Sequence, residues 1–341
     1  MTDPLLDYHN DLPVELSAPD IREYRESNSG VEYIHTMDSG KPGPHVLISA
    51  VVHGNELCGA IAADWLLQQA VKPVAGRLSV GFMNVEAYLS YDADHPNRSR
   101  WVDEDFNRLW GPGVLADPKR TVTSEVRRAR SVQPFLDTVD LLLDIHSMQQ
   151  PCVPLMMAGM VAKGRHLAAQ VGIPSAVITD SGHTEGMRMR DYAAFRDPDS
   201  ARNALLIECG QHWERSTGNV AKATMVRFLR ASNIVEDDFG QDLLKTIPQA
   251  PVQAFYEVGE TVTVESDAFI FDQPWEGFEH LPKDTLIGRD GSRLITAPFD
   301  TTVLIMPSKR LHPGKTAVRL AHPISPKPSG VKTAPQHQRT K

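Results

Sequence analysis

Two short segments of the chain hold residues that could bind a catalytic metal. His53-Gly54-Asn55-Glu56 follows an apolar run over 45–52 and precedes a helix-like run over 57–70, while His146 ends a second apolar run that starts at Leu141. A histidine and a glutamate three residues apart at the start of a helix can point at one spot. Two imidazoles and one carboxylate, with a fourth position left open, are the ligand set of a hydrolytic zinc site, in which water becomes a nucleophile near neutral pH.

The sequence therefore predicts one Zn²⁺ per chain, bound by His53, Glu56 and His146. A single His-x-x-Glu pattern is weak on its own. The alternative is that His53 is a hydrogen-bonded histidine at a strand end and Glu56 a carboxylate at a helix N-terminus. The strand-then-helix setting and the second histidine at a strand end favour the metal site.

Three further carboxylates are candidates for the same site. Glu208 closes the apolar run 204–208, where partial burial would raise its pKa and suit a general base that passes a proton from water to a leaving amine. Asp144 shares a strand face with His146, so Asp144, and Asp105 as a second candidate, are predicted to accept hydrogen bonds from metal-binding imidazoles. The alternatives are a salt-bridged Glu208 and an Asp144 in a strand-terminal turn.

The run Ser99–Arg108 is dense in hydrogen-bond donors, including Arg100, Asn107 and Arg108. Arginine binds carboxylates at two points and can stabilise a developing oxyanion. A surface loop of paired charges is the alternative and the more frequent fate of such runs.

Alternating strand-like and helix-like runs predict the architecture around these residues. The expected strands are 45–52, 77–85, 141–145, 154–158, 175–179 and 204–208, and the expected helices are 56–70, 124–139, 164–171 and 219–231. Short apolar strands between helices predict a three-layer α/β/α sandwich with a mixed, largely parallel sheet. Active sites of such sheets lie at the carboxyl ends of the strands, where His53, His146 and Glu208 are expected to meet.

The pattern changes near residue 249. Short β-like runs over 252–265, 268–271, 292–297 and 301–306 predict a small C-terminal β domain. We therefore expect a catalytic domain over 1–247, a β domain over 248–325, and a Pro-rich, basic, disordered tail over 326–341.

Composition limits the function classes. The 341 residues carry a net charge of −8, which argues against non-specific binding to nucleic acid or to an anionic membrane. The three cysteines lack CxxC spacing, no signal peptide is evident, and no run approaches the ~20 apolar residues of a membrane helix. We expect a cytoplasmic protein with a small-molecule substrate and with buried packing thiols at Cys58 and Cys209; a homo-oligomer stays open.

Taken together, these segments resemble the succinylglutamate desuccinylase/aspartoacylase family of the zinc carboxypeptidase-like superfamily. The matching pieces are His53-Gly-Asn-Glu56, Arg100, Asp105-Phe-Asn-Arg108, Asp144-Ile-His146 and Ile207-Glu208, in the family's order and at similar separations. The resemblance covers residues 45 to 235 well and the C-terminal β domain loosely. Each piece alone is weak, but the combination is specific.

The resemblance implies roles for individual residues. His53, Glu56 and His146 would bind the zinc ion, with Asp105 hydrogen-bonded to His53, and Glu208 would be the general base and acid. Arg100 would stabilise the oxyanion, and Asn107 and Arg108 would hold the α-carboxylate of an amino-acid substrate. The implied reaction is hydrolysis of an N-acyl amino acid to a carboxylate and a free amine.

Two departures from the family pattern leave the acyl group unassigned. The family has an arginine shortly before the catalytic glutamate, and here Arg196 and Arg202 are both near without aligning cleanly; Arg202 is the candidate for substrate binding. No tyrosine stands in the segment 313–323, where the family places one over the active site. Arg188 and Arg190 are further candidates for the pocket, with a surface basic pair as the favoured alternative. A peptide-trimming zinc carboxypeptidase and a non-catalytic metal-binding relative are the other functions considered.

Overall fold

The computed structural model describes residues 12–182, 185–248 and 250–325, so the tail predicted to be disordered lies outside the described residues. The strands are β1 Ile34–Asp38, β2 His45–Ala50, β3 Arg77–Phe82, β4 Leu141–Met148, β5 Leu155–Met157, β6 Ala176–Thr179, β7 Asn203–Gln211, β8 Ala254–Thr263, β9 Phe269–Phe271, β10 His280–Pro282, β11 Leu286–Asp290, β12 Arg293–Thr296, β13 Thr301–Ile305 and β14 Thr316–Ile324. The α-helices are α1 Leu57–Gln68, α2 Val85–Leu89, α3 Ser124–Leu136, α4 Ala162–Val171, α5 Arg215–Ala231 and α6 Gln241–Lys245.

Eleven strands form one mixed sheet in the order β1-β3-β2-β4-β7-β5-β6-β8-β14-β13-β10. Strands β3, β2, β4 and β7 are mutually parallel, and β5 joins β7 in the antiparallel direction. The largely parallel central sheet that was predicted from the short apolar strands is confirmed.

Helices cover both faces of this sheet. Because neighbouring residues of a strand point to opposite faces, adjacent residues pack against different helices. Ile48 packs in one buried cluster with residues of α1, α4 and α5, while Leu47 packs in another with residues of α3. The predicted three-layer sandwich is confirmed, and all four predicted helices are present. No helix within the described ranges is long and apolar enough to cross a membrane.

Strands β4 and β7 extend beyond their predicted ends. They were expected to stop at residues 145 and 208, but they continue to Met148 and Gln211. Because the two strands pair in parallel, His146 lies directly opposite Glu208. The metal-ligand candidate and the general-base candidate are therefore neighbours across one strand pair.

The C-terminal strands both extend the main sheet and add a small one. β8 pairs in parallel with β6, and β14, β13 and β10 follow it, while β9, β11 and β12 form a separate antiparallel sheet. Strands β10, β11 and β14 were not predicted; in β14, Arg319 and His322 interrupt the apolar run. The domain boundary at 247/248 stays a prediction.

Candidate metal centre and active site

The loop between β2 and α1 carries His53 and Glu56 and packs tightly against its surroundings. A Cβ atom at Gly54 would lie 2.3 Å from the carbonyl oxygen of Ser99 and 2.5 Å from the backbone nitrogen of Tyr88. The Gly54 amide donates a hydrogen bond to the carbonyl of Arg100 at 3.1 Å. Glycine is required here because the backbone approaches its neighbours closely, and this packing holds the side chains on either side of it.

His53, Glu56 and His146 form a buried cluster. Nδ1 of His53 lies 2.7 Å from Oε1 of Glu56, and Nδ1 of His146 lies 2.9 Å from Oε2 of the same carboxylate. The two imidazole rings meet edge to face, with centroids 5.2 Å apart. One carboxylate is thus bracketed by two ring nitrogens that come from segments about ninety residues apart in sequence.

The donor set of this cluster fits a divalent metal ion. The ligand atoms of the three residues lie within 4.8 Å of one another, and among the residues that the structure describes this is the one cluster of its kind. Zinc takes imidazole nitrogen and carboxylate oxygen at ~2.0–2.2 Å, so small side-chain shifts bring all three donors onto one ion. The chemistry and the spacing of the donors support this fit.

Each imidazole presents its second nitrogen to a further carboxylate. Nε2 of His53 lies 2.9 Å from Oδ1 of Asp105, and Nε2 of His146 lies 2.9 Å from Oδ2 of Asp144. Asp144 also accepts a hydrogen bond from the hydroxyl of Ser49 at 2.8 Å. Such partners fix the orientation of a ring and make its other nitrogen a better ligand.

The cluster holds a proton when no metal competes for it. Burial raises the pKa of Glu56, but His53 and His146 outweigh burial, and that pKa ends well below its ordinary value. Burial likewise lowers the pKa of His146, but Asp144 and Glu56 outweigh it and leave that pKa well above the usual 6.5. A metal ion that bound here would therefore displace a proton from His146.

Glu125 holds the loop that carries Arg100 and Asp105. This carboxylate at the start of α3 is fully buried and accepts hydrogen bonds from the backbone amides of Val102 at 2.7 Å and Asp103 at 3.1 Å. A third amide, from Glu104, and the side-chain amide of Asn84 complete its partners at 3.3 and 3.1 Å. Sequence reasoning missed this residue, because its partners lie more than twenty positions away.

Arg100 reaches the cluster of His53, Glu56 and His146 from this loop. Its guanidinium lies 3.4 Å from Oε1 of Glu56 and 3.2 Å from Nε2 of His53. The same group stands 5.4 Å from the ring centroid of Trp101, a cation–π distance. A guanidinium at this place can donate to an oxygen atom that reacts beside the cluster.

Glu208 lies next to the cluster on β7, opposite His146. Burial raises the pKa of Glu208 to about 8, although the charge of His146 opposes the shift. Its Oε2 atom is buried and has no hydrogen-bond partner. A carboxyl group with a pKa near neutrality can both accept and return a proton.

Asn107 and Arg108 line the cleft beside Asp105. The side-chain oxygen of Asn107 accepts a hydrogen bond from the amide of Met189 at 2.8 Å, which fixes its orientation. Arg108 donates to the carbonyl of Asn107 at 3.0 Å and lies 3.8 Å from Asp105. Its buried Nε atom has no partner, so this guanidinium can still bind an anion.

These residues open into one cleft of about 410 Å³. Segments from both parts of the chain line it, including residues 306–310 and 315, which lie between β13 and β14. Lys315 forms a 2.5 Å ion pair with Glu185 and so ties the C-terminal side of the cleft to the segment before Arg188.

The four arginines left open by the sequence are placed apart. Arg202 donates to the carbonyls of Leu136 and Val139 at the start of β7, the opposite end from Glu208, and it does not line the cleft. The exposed Arg196 contacts the sulfur of Met187. The substrate-binding role predicted for Arg202 therefore has no support from its position.

The interpretation of Arg188 and Arg190 as a surface pair is wrong, since both are buried at 5% and 3% exposure. Arg190 donates to the carbonyls of Ala158 and Ala204, whereas Arg188 lines the cleft and binds Asp180 through two 2.8 Å hydrogen bonds. Cys58 and Cys209 are buried, as predicted.

Two cleft residues, Arg319 and His212, were not found by sequence reasoning. Arg319 on β14 lies 3.7 Å from Asp180, and no local pattern points to it. His212 follows β7 four positions after Glu208, which was a signal that could have been used. Its Nδ1 atom lies 2.8 Å from the hydroxyl of Ser147, the residue after His146.

Comparison with solved structures identifies the class of fold. Succinylglutamate desuccinylase from Vibrio cholerae matches at 18% identity and a TM-score of 0.63, covering 86% of each chain. The product-bound ectoine utilization protein EutE (DoeB) from Ruegeria pomeroyi matches at 17% identity and a TM-score of 0.60, covering 84% of this chain and 88% of that one. An aspartoacylase family protein from Mesorhizobium loti matches at 18% identity and a TM-score of 0.57, covering 86% and 89%.

A family model gives the assignment. The model of the succinylglutamate desuccinylase/aspartoacylase catalytic domain matches residues 42–236, more than half of the chain. The chain therefore belongs to this family of amide-hydrolysing deacylases. Among curated protein sequences, none matches the chain significantly.

Proposed function

We propose that the protein is a zinc-dependent deacylase that cleaves a small N-acyl amino acid into a carboxylate and a free amine. The observation that carries the proposal is the buried cluster of His53, Glu56 and His146 beside Glu208 in one cleft. Bound zinc would supply an activated water molecule and polarise the carbonyl of the scissile amide.

Glu208 acts as the proton carrier in this proposal. Its unpartnered Oε2 atom accepts the proton that the attacking water loses, and the same carboxyl group then protonates the departing nitrogen. A pKa near 8 makes both transfers feasible close to neutral pH. A positive ion nearby would lower that pKa and favour the base form at the start of the reaction.

Arg100 stabilises the negative charge that develops on the carbonyl oxygen. Its guanidinium is held near the cluster by Glu56 and by the ring of Trp101. A donor fixed before the reaction stabilises the transition state more than a mobile one, because it needs no reorganisation.

Asn107 and Arg108 bind the carboxylate of the amino-acid half. Arginine suits this role because its fork of N–H groups matches a carboxylate. Residues between β13 and β14, together with Arg319 of β14, also line the cleft, and in this proposal they restrict it to small substrates rather than the long peptides that a carboxypeptidase trims. In this proposal residues 1–247 are the catalytic unit and residues 248–325 close its cleft.

The proposal is tested with the full-length, zinc-loaded protein and a panel of N-acetyl, N-formyl and N-succinyl amino acids, with released amine as the signal. Glu208→Gln should retain stoichiometric zinc and lose ~10²–10⁴-fold in kcat. Glu214→Gln, which changes an exposed carboxylate nearby in sequence, is the matched control. Near-normal turnover by Glu208→Gln would refute the proton-carrier role, and no turnover of any N-acyl amino acid by the wild type would refute the function.

A further inference from the structure

The residues that line the cleft include a cationic group and a neutral segment. Arg108, Arg188 and Arg319 form the cationic group, in which Arg108 lies 3.8 Å from Asp105 and the other two contact Asp180. Lys309, Arg310 and Lys315 line the cleft from the segment between β13 and β14. The neutral segment, called the neutral wall below, consists of residues 147–152, whose sequence is Ser-Met-Gln-Gln-Pro-Cys, and of His212, which contacts Ser147. No lysine, arginine, aspartate or glutamate stands in this neutral wall.

The neutral wall is anchored to the sheet. The backbone amide of His212 donates to the carbonyl of Met148 at 2.8 Å, and the side chain of Gln211 donates to the carbonyl of Gln149 at 3.3 Å. The side chain of Gln149 in turn donates to Asn97 at 3.0 Å. The wall is therefore a preformed part of the binding site.

His212 contributes one unused hydrogen-bonding atom to this wall. The residue is 1% exposed, its Nδ1 atom is occupied by the hydroxyl of Ser147, and its Nε2 atom is buried without a partner. Burial is the main cause that lowers the pKa of His212 to about 3, so the ring is neutral at working pH and Nε2 can form one neutral hydrogen bond. A buried nitrogen without a partner is unfavourable, and a bound polar atom would satisfy it.

The proposed function decides which half of the substrate meets this wall. With the amino-acid carboxylate at Arg108 and the scissile amide at Glu208, the neutral wall is left to receive the acyl group. A charged acyl group would find no cation within this wall, because residues 147–152 and His212 carry no lysine or arginine. Burying an unpaired carboxylate is strongly unfavourable.

We propose, on the basis of the proposed function, that the neutral wall is the acyl subsite and that His212 Nε2 hydrogen-bonds an uncharged, polar, short acyl group such as a hydroxyacyl group. His212 is then a specificity-determining residue. The wall discriminates against acyl groups that end in a carboxylate, because it offers them no compensating charge.

A matched pair of substitutions at His212 distinguishes the contributions of its two ring nitrogens to acyl specificity. His212→Asn keeps a polar atom near the position of Nδ1, and so the contact with Ser147, but has none at Nε2. His212→Gln places a polar atom near Nε2 instead. The assay compares kcat/KM for N-glycoloyl, N-acetyl and N-succinyl derivatives of one amino acid, which share the amine and differ only in the acyl group.

Wild type should prefer the glycoloyl over the acetyl substrate by about tenfold, the effect of one hydrogen bond of moderate strength, and should use the succinyl substrate least. His212→Asn should abolish the glycoloyl preference, and His212→Gln should keep most of it. If His212→Asn kept the glycoloyl preference and His212→Gln lost it, His212 would act only by holding Ser147, and the proposal would be overturned. A wild-type preference for the succinyl substrate would also overturn it. Loss of all hydrolysis in wild type would instead refute the proposed function, and the subsite with it.

Inhibition of wild type by free acids gives a second readout that needs no variant. Glycolate should compete with substrate about tenfold more tightly than acetate, and succinate should bind more weakly than both. Equal inhibition by glycolate and acetate would overturn the role of His212 even if both variants failed to fold.

Discussion

Asp144→Asn should weaken zinc binding while leaving the fold intact. Asp144 is fully buried and stands between the ring of His146 and the hydroxyl of Ser49, at 2.9 and 2.8 Å. Asparagine has the same shape, so its oxygen can still accept from His146 and its amide can face Ser49. What the substitution removes is the negative charge that strengthens the imidazole as a ligand.

The expected loss follows from the burial of the two partner carboxylates. Removing such a partner reduces metal affinity by ~10–100-fold, or about 1.4–2.7 kcal/mol. The Asp144 side chain is 0% exposed, whereas that of Asp105, which plays the same part for His53, is 16% exposed. At the more exposed Asp105, water can compensate part of the effect of losing the negative charge. We expect the loss of zinc affinity to be about 100-fold for Asp144→Asn and about 10-fold for Asp105→Asn.

The assay is competition for zinc between the full-length protein and a chromophoric chelator at one fixed pH. Asp140→Asn is the control, because this carboxylate at the start of the same strand accepts from the backbone of His45 at 2.8 Å and is remote from the metal ligands. It should leave zinc affinity unchanged. An affinity of Asp144→Asn within twofold of wild type would refute the reasoning, since it would mean that the charge does not tune His146.

Three further outcomes follow from the site. Arg108→Ala should raise KM by ~10–100-fold with little change in kcat, because a charged hydrogen bond that is equally strong in the ground state and the transition state is lost. An unchanged KM with a depressed kcat would contradict this. Glu125→Ala should lower the free energy of unfolding in urea by roughly 3 kcal/mol, because three backbone amides lose their acceptor; a loss below about 1 kcal/mol would contradict it. Zinc affinity should fall as pH is lowered, by about tenfold per unit while the raised pKa of His146 keeps one competing proton bound; a pH-independent affinity would exclude that proton.

Much of the central fold could be predicted from the sequence, because its strands are short apolar runs. Residues such as Val46 to Ala50 are buried on both faces of the sheet, which leaves a continuous hydrophobic signal. The C-terminal strands were harder. β14 contains Arg319 and His322, because one part of the strand borders a polar cleft. Neither the alternation of apolar and polar residues nor the composition of this segment therefore indicates a strand.

The ends of β4 and β7 show a second limit. Polar residues after an apolar run predict the end of a strand, so His146 and Glu208 were expected at the edge of the sheet. Both strands continue past them because each backbone has the other as a hydrogen-bonding partner. Pairing between strands about sixty residues apart overrides the local signal.

The sequence by itself determined which chemistry is available. His53 and Glu56 are set by local geometry, since a strand, a glycine turn and a helix start bring them together, and His146 follows from the matching strand. Only the tertiary structure decided which arginines line the cleft, that Arg188 is buried against Asp180, and that His212 turns one nitrogen to Ser147 and leaves the other unpaired. Those contacts form between segments joined by no periodic pattern, so they exist only once the sheet has brought the segments to one cleft.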